Sequence, residues 1–416
     1  MISRSLEYPI DALMMKSVIQ EFLGQKERLE RLKRSYHNKR EILQRRRNRG
    51  LPNVKLAHGF SHYIATMASG YLLGNGITYE GEGLQRLKEA YHLADIQSVD
   101  AELVTCQSVY GKGVELVFAN EEATLCSVCL PVTQAFVVYD TSVQNKPFFG
   151  VYLVQRKDGE GREVGVTLYI YTKEKEMVYH TQTLQGLLGG EEMQLVREAW
   201  HFMGEVPMVE YWNNENEAGD FEQVEQLIDA YDLLQSDRVN DKQQFVDAML
   251  VLTGVRLEED ARGRSAGEQL RQDKILLLPD SDCKVEYLAK SMTEGDVEVL
   301  KNALKSDIHK FSLVPDLTDE HFSGNASGVA MRYKLLGLEQ LTRGKERWFK
   351  EGLRQRMKCY AHYLNLFTEQ KIDLKKATIV FTRSLPVNEL EVAQTIKTYE
   401  GIVENDVLQA QVPFVQ

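Results

Sequence analysis

The alternation of apolar and polar positions divides the chain into three stretches, the first and last of helical period and the middle one of period two. Residues from about Asp11 to Arg49 are helix-rich, and a second helical pattern starts near Val54, runs through His62, Ile64, Met67 and Tyr71, and stops at Gly74-Asn75-Gly76. A third helical pattern covers about Gly83 to Ala94. The period then changes to two. Glu102–Tyr110, Gly113–Ala119, Thr124–Val132, Ala135–Asp140, Phe148–Arg156, Glu163–Thr172 and Met177–Gln182 are short, rich in Val, Tyr, Phe and Thr, and set apart by turn clusters such as Lys157-Asp158-Gly159-Glu160-Gly161. They predict an antiparallel meander packed as one sheet or a small sandwich.

From Phe221 the helical period returns, with Phe221, Val224, Leu227, Ile228, Tyr231 and Leu234 on one stripe and Phe245, Ala248, Met249 and Leu252 on another; Gly254 ends it. Val255 to Glu294 reads as a small insertion between two helices, with strand-like pieces at Lys274–Pro279 and Cys283–Ala289. The next helix is the sharpest in the chain. Ser291 with Glu294 and Thr293 with Asp296 offer capping chemistry, and Val297, Leu300, Leu304, Ile308 and Phe311 repeat every three or four residues. Beside that stripe Lys301, Lys305 and His309 follow at i+4 and form one basic row. Pro315–Leu335 is a polar, glycine-punctuated loop held between helices, and Val329–Phe367 is expected to run as one long helix or two. Ala377–Pro386 reads as a strand, followed by a helix from about Asn388 to Tyr399.

With 416 residues, 43% hydrophobic, the chain can build two or three packed regions. No apolar run is long enough to span a bilayer, and the first residues mix charge with apolar positions where a signal peptide would be uninterrupted, so the chain is expected to fold in a cytoplasm. Five cysteines in so long a chain make no disulfide framework. Cys126 and Cys129 form a lone C-x-x-C in an apolar strand-like run and read as core. The net charge of -11 argues against a surface that grips nucleic acid throughout, although Arg45, Arg46, Arg47 and Arg49 make the N-terminal segment locally basic.

Catalytic signatures are missing: there is no phosphate-binding Gly-Lys-Ser/Thr loop, no dinucleotide fingerprint and no nucleophile elbow. His58 and His62, four apart, are expected to share a helix face as structural histidines. The acidic clusters Asp280-Ser281-Asp282 and Glu258-Glu259-Asp260 read as solvated turns. No catalytic residue, metal ligand or cofactor is expected. Two rivals remain: a metal-dependent DNA-processing enzyme using Asp280 and Asp282, and a scaffold or adaptor binding DNA through the basic arm.

Four segments in order, Tyr71–Glu80 (YLLGNGITYE), Asn213–Asp241, Pro315–Leu335 and Ile379–Glu391 (IVFTRSLPVNELE), resemble the portal protein of long-tailed bacteriophages of Gram-positive hosts. The resemblance implies an α+β portal-type subunit: 1–220 a wing of N-terminal helices plus meander, 221–254 and 295–314 two stem helices, and 255–294 a mixed clip. It further implies that 315–328 is a tunnel loop, 329–370 a long helix returning to the wing, and 371–416 the C-terminal wing, with a helical crown expected to be truncated. The implied assembly is a ring of normally twelve copies at a capsid vertex, threaded by double-stranded DNA during packaging and ejection. Its implied partners are the terminase large subunit, a head-tail adaptor, and the major capsid and scaffolding proteins, with no membrane. The virion, after assembly in the host cytoplasm, is the implied location. Asp316, Thr318, Asp319, Glu320, His321 and Asn325 would face DNA from the tunnel loop. Lys301, Lys305 and His309 would brush phosphates or, as the favoured alternative, pair with acids on the next subunit. The resemblance assigns no role to Arg45–Arg49.

Overall fold

The computed structural model describes residues 1–48, 52–189, 193–246, 249–253, 284–288, 294–317, 328–367, 371–383 and 397–398. Its helices are α1 (Ala12–Gly24), α2 (Lys26–Tyr36), α3 (Phe60–Leu73), α4 (Gln85–Leu93), α5 (Ile96–Tyr110), α6 (Leu184–Gly189), α7 (Glu225–Val246), α8 (Glu294–Ser312), α9 (Gly328–Lys334) and α10 (Leu336–Leu366). Its strands are β1 (Ile2–Arg4), β2 (Ile77–Glu80), β3 (Lys112–Ala119), β4 (Leu125–Leu130), β5 (Ala135–Asp140), β6 (Pro147–Lys157) and β7 (Glu163–Tyr171). They continue as β8 (Lys175–Thr181), β9 (Gln194–Trp200), β10 (Met208–Trp212), β11 (Met249–Thr253), β12 (Lys284–Leu288) and β13 (Thr378–Phe381). The fold is mixed α+β. It divides into one unit of Met1–Lys39, Gly59–Gln226 and Asp307–Gln416, and a second of Arg40–His58 with Leu227–Ser306.

In the first unit the meander is a six-stranded sheet ordered β1-β5-β6-β7-β8-β9, antiparallel from β5 to β9 and joined by β1 parallel to β5. A second sheet runs β10-β3-β4, and β13 pairs with β2. Helix α1 lays Met15, Val18, Ile19 and Phe22 on the first sheet, where Phe22 stacks on Phe136 at 4.4 Å between centroids. One expected strand is a helix: Glu102–Tyr110 is the second half of α5. Its Val, Thr, Cys and Tyr content favours a strand, but Ile96, Val99, Leu103, Val104 and Gln107 are buried at helical spacing, and Gly111 closes the helix at φ 85°.

Helix α10 passes through the core of this unit. Gly352 permits that packing, since a Cβ there would stand 2.5 Å from the Tyr211 ring. Its buried face carries two cations. Arg356, fully buried, donates to Glu115 at 2.8 Å and to Asp100 at 2.6 Å, while Tyr211 donates to the same Glu115 at 2.5 Å. Lys345 donates to Asp220 and Ser108, each at 2.5 Å. A third pair, Lys112 with Glu210 at 3.3 Å, ties β3 to β10, and Tyr139 and Trp212 also donate to Glu210. Desolvating a charge is so unfavourable that each must meet its counter-ion within the core, so these pairs dictate which elements adjoin.

In the second unit α7 and α8 are joined by ion pairs from Arg238 to Glu294 and Glu298, the latter at 3.1 Å. Hydrogen bonding to Arg238 holds the Glu294 carboxyl below its ordinary range, and Lys301 does the same for Glu298. Here too an expectation fails: the helical stripe does not reach Leu252, because Met249–Thr253 is β11, antiparallel to β12 with Met249 opposite Leu288. An unbroken Met-Leu-Val-Leu-Thr run suits a ladder strand better than a helix with a solvated face. The capping residues Ser291 and Thr293, the piece Lys274–Pro279, the acidic clusters, residues 388–396 of the helix expected from Asn388 and the terminal segment 399–416 lie outside the described residues, while Lys397 and Thr398 are helical.

Candidate functional site

The basic row lies along α8 as its spacing requires. Lys301 bonds Glu298 one turn back; Lys301, Lys305 and His309 are all half-buried. The apolar stripe beside it is only partly covered. Val297 and Ile308 are buried, whereas Leu300 is 50% and Phe311 54% exposed, as are Val299 on α8 and Leu233 on α7.

His309 marks the start of the loop. Its Nδ1–H donates to the Val314 carbonyl at 2.9 Å, and its ring meets Phe60 and Tyr63 edge-on at 5.9 and 5.8 Å. Tyr63 OH donates to the Pro315 carbonyl at 2.8 Å and accepts the Leu317 N–H at 3.1 Å. Between them Leu313 takes a left-handed turn, φ 59°, and its carbonyl lies 3.3 Å from where a Cβ would stand on Gly337 at the head of α10. The entry of the loop is therefore fixed on the first unit. Of the expected loop residues Asp316 is half-buried in this entry, while Thr318, Asp319, Glu320, His321 and Asn325 lie outside the described residues. Beyond the loop the helix is broken at Leu335 into α9 and α10.

The second unit holds a feature that sequence patterning missed. Residues 52–58 are not the start of α3 but an extended strap along α7. Backbone N–H groups of Val54, Leu56 and His58 donate to Asn240 Oδ1 at 2.6 Å, Ser236 Oγ at 3.0 Å and Asp232 Oδ1 at 2.9 Å. Two extended residues rise about 6.6 Å and four helical residues about 6 Å, so the two periods stay in step over three rungs. The three helix residues are completely buried. His58 Nδ1 approaches Asp232 at 2.7 Å, and Arg40 lies 3.0 Å from the same carboxylate and 2.6 Å from Asp229. Arg45 and Arg47 both hold Asp237. The signal was present as Asp232-x-x-x-Ser236-x-x-x-Asn240, a polar row on the buried face of a helix. His58 and His62 accordingly share no helix face: His58 precedes α3, and His62 packs on Tyr36 at 4.8 Å. Cys129 on β4 lies 3.8 Å from Cys106, and these two and Cys126 are all half-buried.

The family model described as "Phage portal protein, SPP1 Gp6-like" matches residues 15–416. The chain belongs to this family of phage portal proteins. It is 24% identical over 389 residues to the portal protein of Bacillus phage SPP1, covering 88% of this chain and 74% of that protein. It is 26% identical over 222 residues to the portal protein of Clostridium phage phiCD119, covering 52% of this chain and 47% of that one. A portal protein is a structural component of the phage capsid and not an enzyme, so the metal-dependent enzyme reading is set aside. Among the described residues no helix is long and apolar enough to cross a membrane. Of the basic arm, Arg45 and Arg47 are engaged by Asp237, Arg46 is exposed, and Arg49 lies outside the described residues.

Proposed function

We propose that copies of this chain close into a ring of twelve at one capsid vertex, forming the channel through which double-stranded DNA enters and leaves. The terminase large subunit and the head-tail adaptor dock on the ring, which assembles in the host cytoplasm with the major capsid and scaffolding proteins. The wing is 1–220, the stem 221–254 and 295–314, the clip 255–294, the tunnel loop 315–328, the returning helix 329–370 and the C-terminal wing 371–416. The family match over residues 15–416 carries this reading. The separation of Leu227–Ser306 as part of a unit of its own supports the stem and clip division.

The exposed Leu233, Val299, Leu300 and Phe311 support neighbouring subunits on the stem, since a closing ring needs an apolar patch that fits a different patch on the next copy. The net charge of -11 suits a channel in which DNA slides without many simultaneous phosphate contacts. Lys301, Lys305 and His309 sit towards the channel or the next subunit, and Asp316, Thr318, Asp319, Glu320, His321 and Asn325 face the DNA. The Tyr63 and His309 clamp supports a loop with a fixed entry. Deleting Asp319 to Ser327 will leave the ring intact and impair DNA packaging; loss of the ring would misassign the loop, and full packaging would remove its role. Native mass spectrometry of the ring counts the subunits.

A further inference from the structure

We propose that the solvent face of α10 is a second DNA-contact surface, a phosphate-binding row separate from the channel residues named above. Along α10 the exposed positions follow one another every three or four residues, and Arg343, Arg347, Arg354 and Lys358 occupy that face with Glu351 as its one acid. Arg343 is paired with Glu339 of its own helix at 2.8 Å. Arg347 has only its neighbour Trp348, 6.0 Å away, and among the described residues Arg347, Arg354 and Lys358 make no ion pair, not even with Glu351 between them. The same helix gives both of its buried cations acidic partners, so the open row is not a shortage of acids in the chain.

The composition of this face selects the partner. Between Gly337 and Asn365 it exposes no large apolar side chain; Leu336, Leu366 and Phe367 lie at its ends. A protein interface uses arginine too, but around buried apolar and aromatic anchors, whereas contacts to a nucleic-acid backbone come from arginine and lysine without such anchors, and it is their absence here that selects the partner. Arg343/Arg347 and Arg354/Lys358 are like-charge pairs at i+4, which weaken a helix by a few tenths of a kcal/mol each unless an anion offsets them. The row is straight and about 22 Å long. Laid along a duplex it faces on the order of a dozen phosphates, enough to occupy every cation whatever the base sequence.

The test is binding of the full chain to a labelled random-sequence duplex of about 30 base pairs, read by fluorescence anisotropy between about 50 and 200 mM salt. The triple variant R347Q/R354Q/K358Q will lower the slope of log affinity against log salt by about 3, close to one unit per lost phosphate contact. The variant R347K/R354K, which keeps the point charges, will retain the wild-type slope. An unchanged slope in the triple variant overturns the proposal. So does a triple variant that keeps the slope but no longer forms rings under the electron microscope, which would make the face a contact with a second copy. A wild-type chain that never forms rings, yet loses slope in the triple variant, would sink the portal ring and leave the phosphate row standing.

Discussion

The two faces of α10 treat positive charge in opposite ways. Inward, Arg356 and Lys345 are desolvated and held by Glu115, Asp100 and Asp220; outward, Arg347, Arg354 and Lys358 stand in water with no counter-ion among the described residues. Inward charge specifies which elements adjoin, because a buried cation tolerates only a buried partner. Outward charge is nearly free of structural consequence and remains available to whatever passes.

The largest effect should come from breaking the inward side. Arg356→Ala leaves Glu115 and Asp100 buried without their cation, and chemical denaturation should find a loss of about 3–5 kcal/mol. Asn240→Ala comes next: it strips the buried rung under Val54 and should cost about 1–3 kcal/mol, while Arg45→Ala, whose partly exposed side chain ties the segment before the strap to Asp237 of the same helix, should cost less than about 1 kcal/mol. Equal losses for the two would mean that charge, not the polar row, holds the strap.

Acidity sharpens the inward case. Burial pushes the Asp100 carboxyl up to about 6 against the pull of Arg356, with Glu115 and the phenols of Tyr79 and Tyr211 also close by. A raised folded value means the native state holds this proton more tightly than the unfolded chain. The stability it contributes is complete below the unfolded value near 3.8 and is lost as pH rises through about 6. Asp100→Asn cannot titrate, so its deficit against wild type should be larger at about pH 5 than at about pH 8; a constant deficit would place the folded value near the unfolded one. The smallest effect belongs outside: Arg354→Ala should shift stability by no more than about 0.5 kcal/mol.

Much of the architecture was legible because burial and backbone period coincide in it. β3 to β8 follow the alternation of Gly113–Ala119 through Met177–Gln182, and α8 follows Val297 to Phe311. Reading failed where composition and period disagree, as in the helix of β-favouring residues at Glu102–Tyr110, and where an apolar run has no period, as in Met249–Thr253. It failed most completely at the strap. There Ile228 and Tyr231 of the expected stripe are buried, but the buried face of α7 continues as Asp232, Ser236 and Asn240, and only a distant extended segment explains that polar row. The basic row on α8 was visible from spacing, but its nearest partners were not: the Val314 carbonyl reaches His309 only because Leu313 turns left-handed. The Tyr63 clamp, 252 residues away in sequence from Pro315, left no local signal.

The central claim, that this chain forms a conduit and not a monomeric binding protein, is tested most directly by electron microscopy of the purified full chain. The account predicts closed rings with a central hole. Stable monomers at high protein concentration would contradict it.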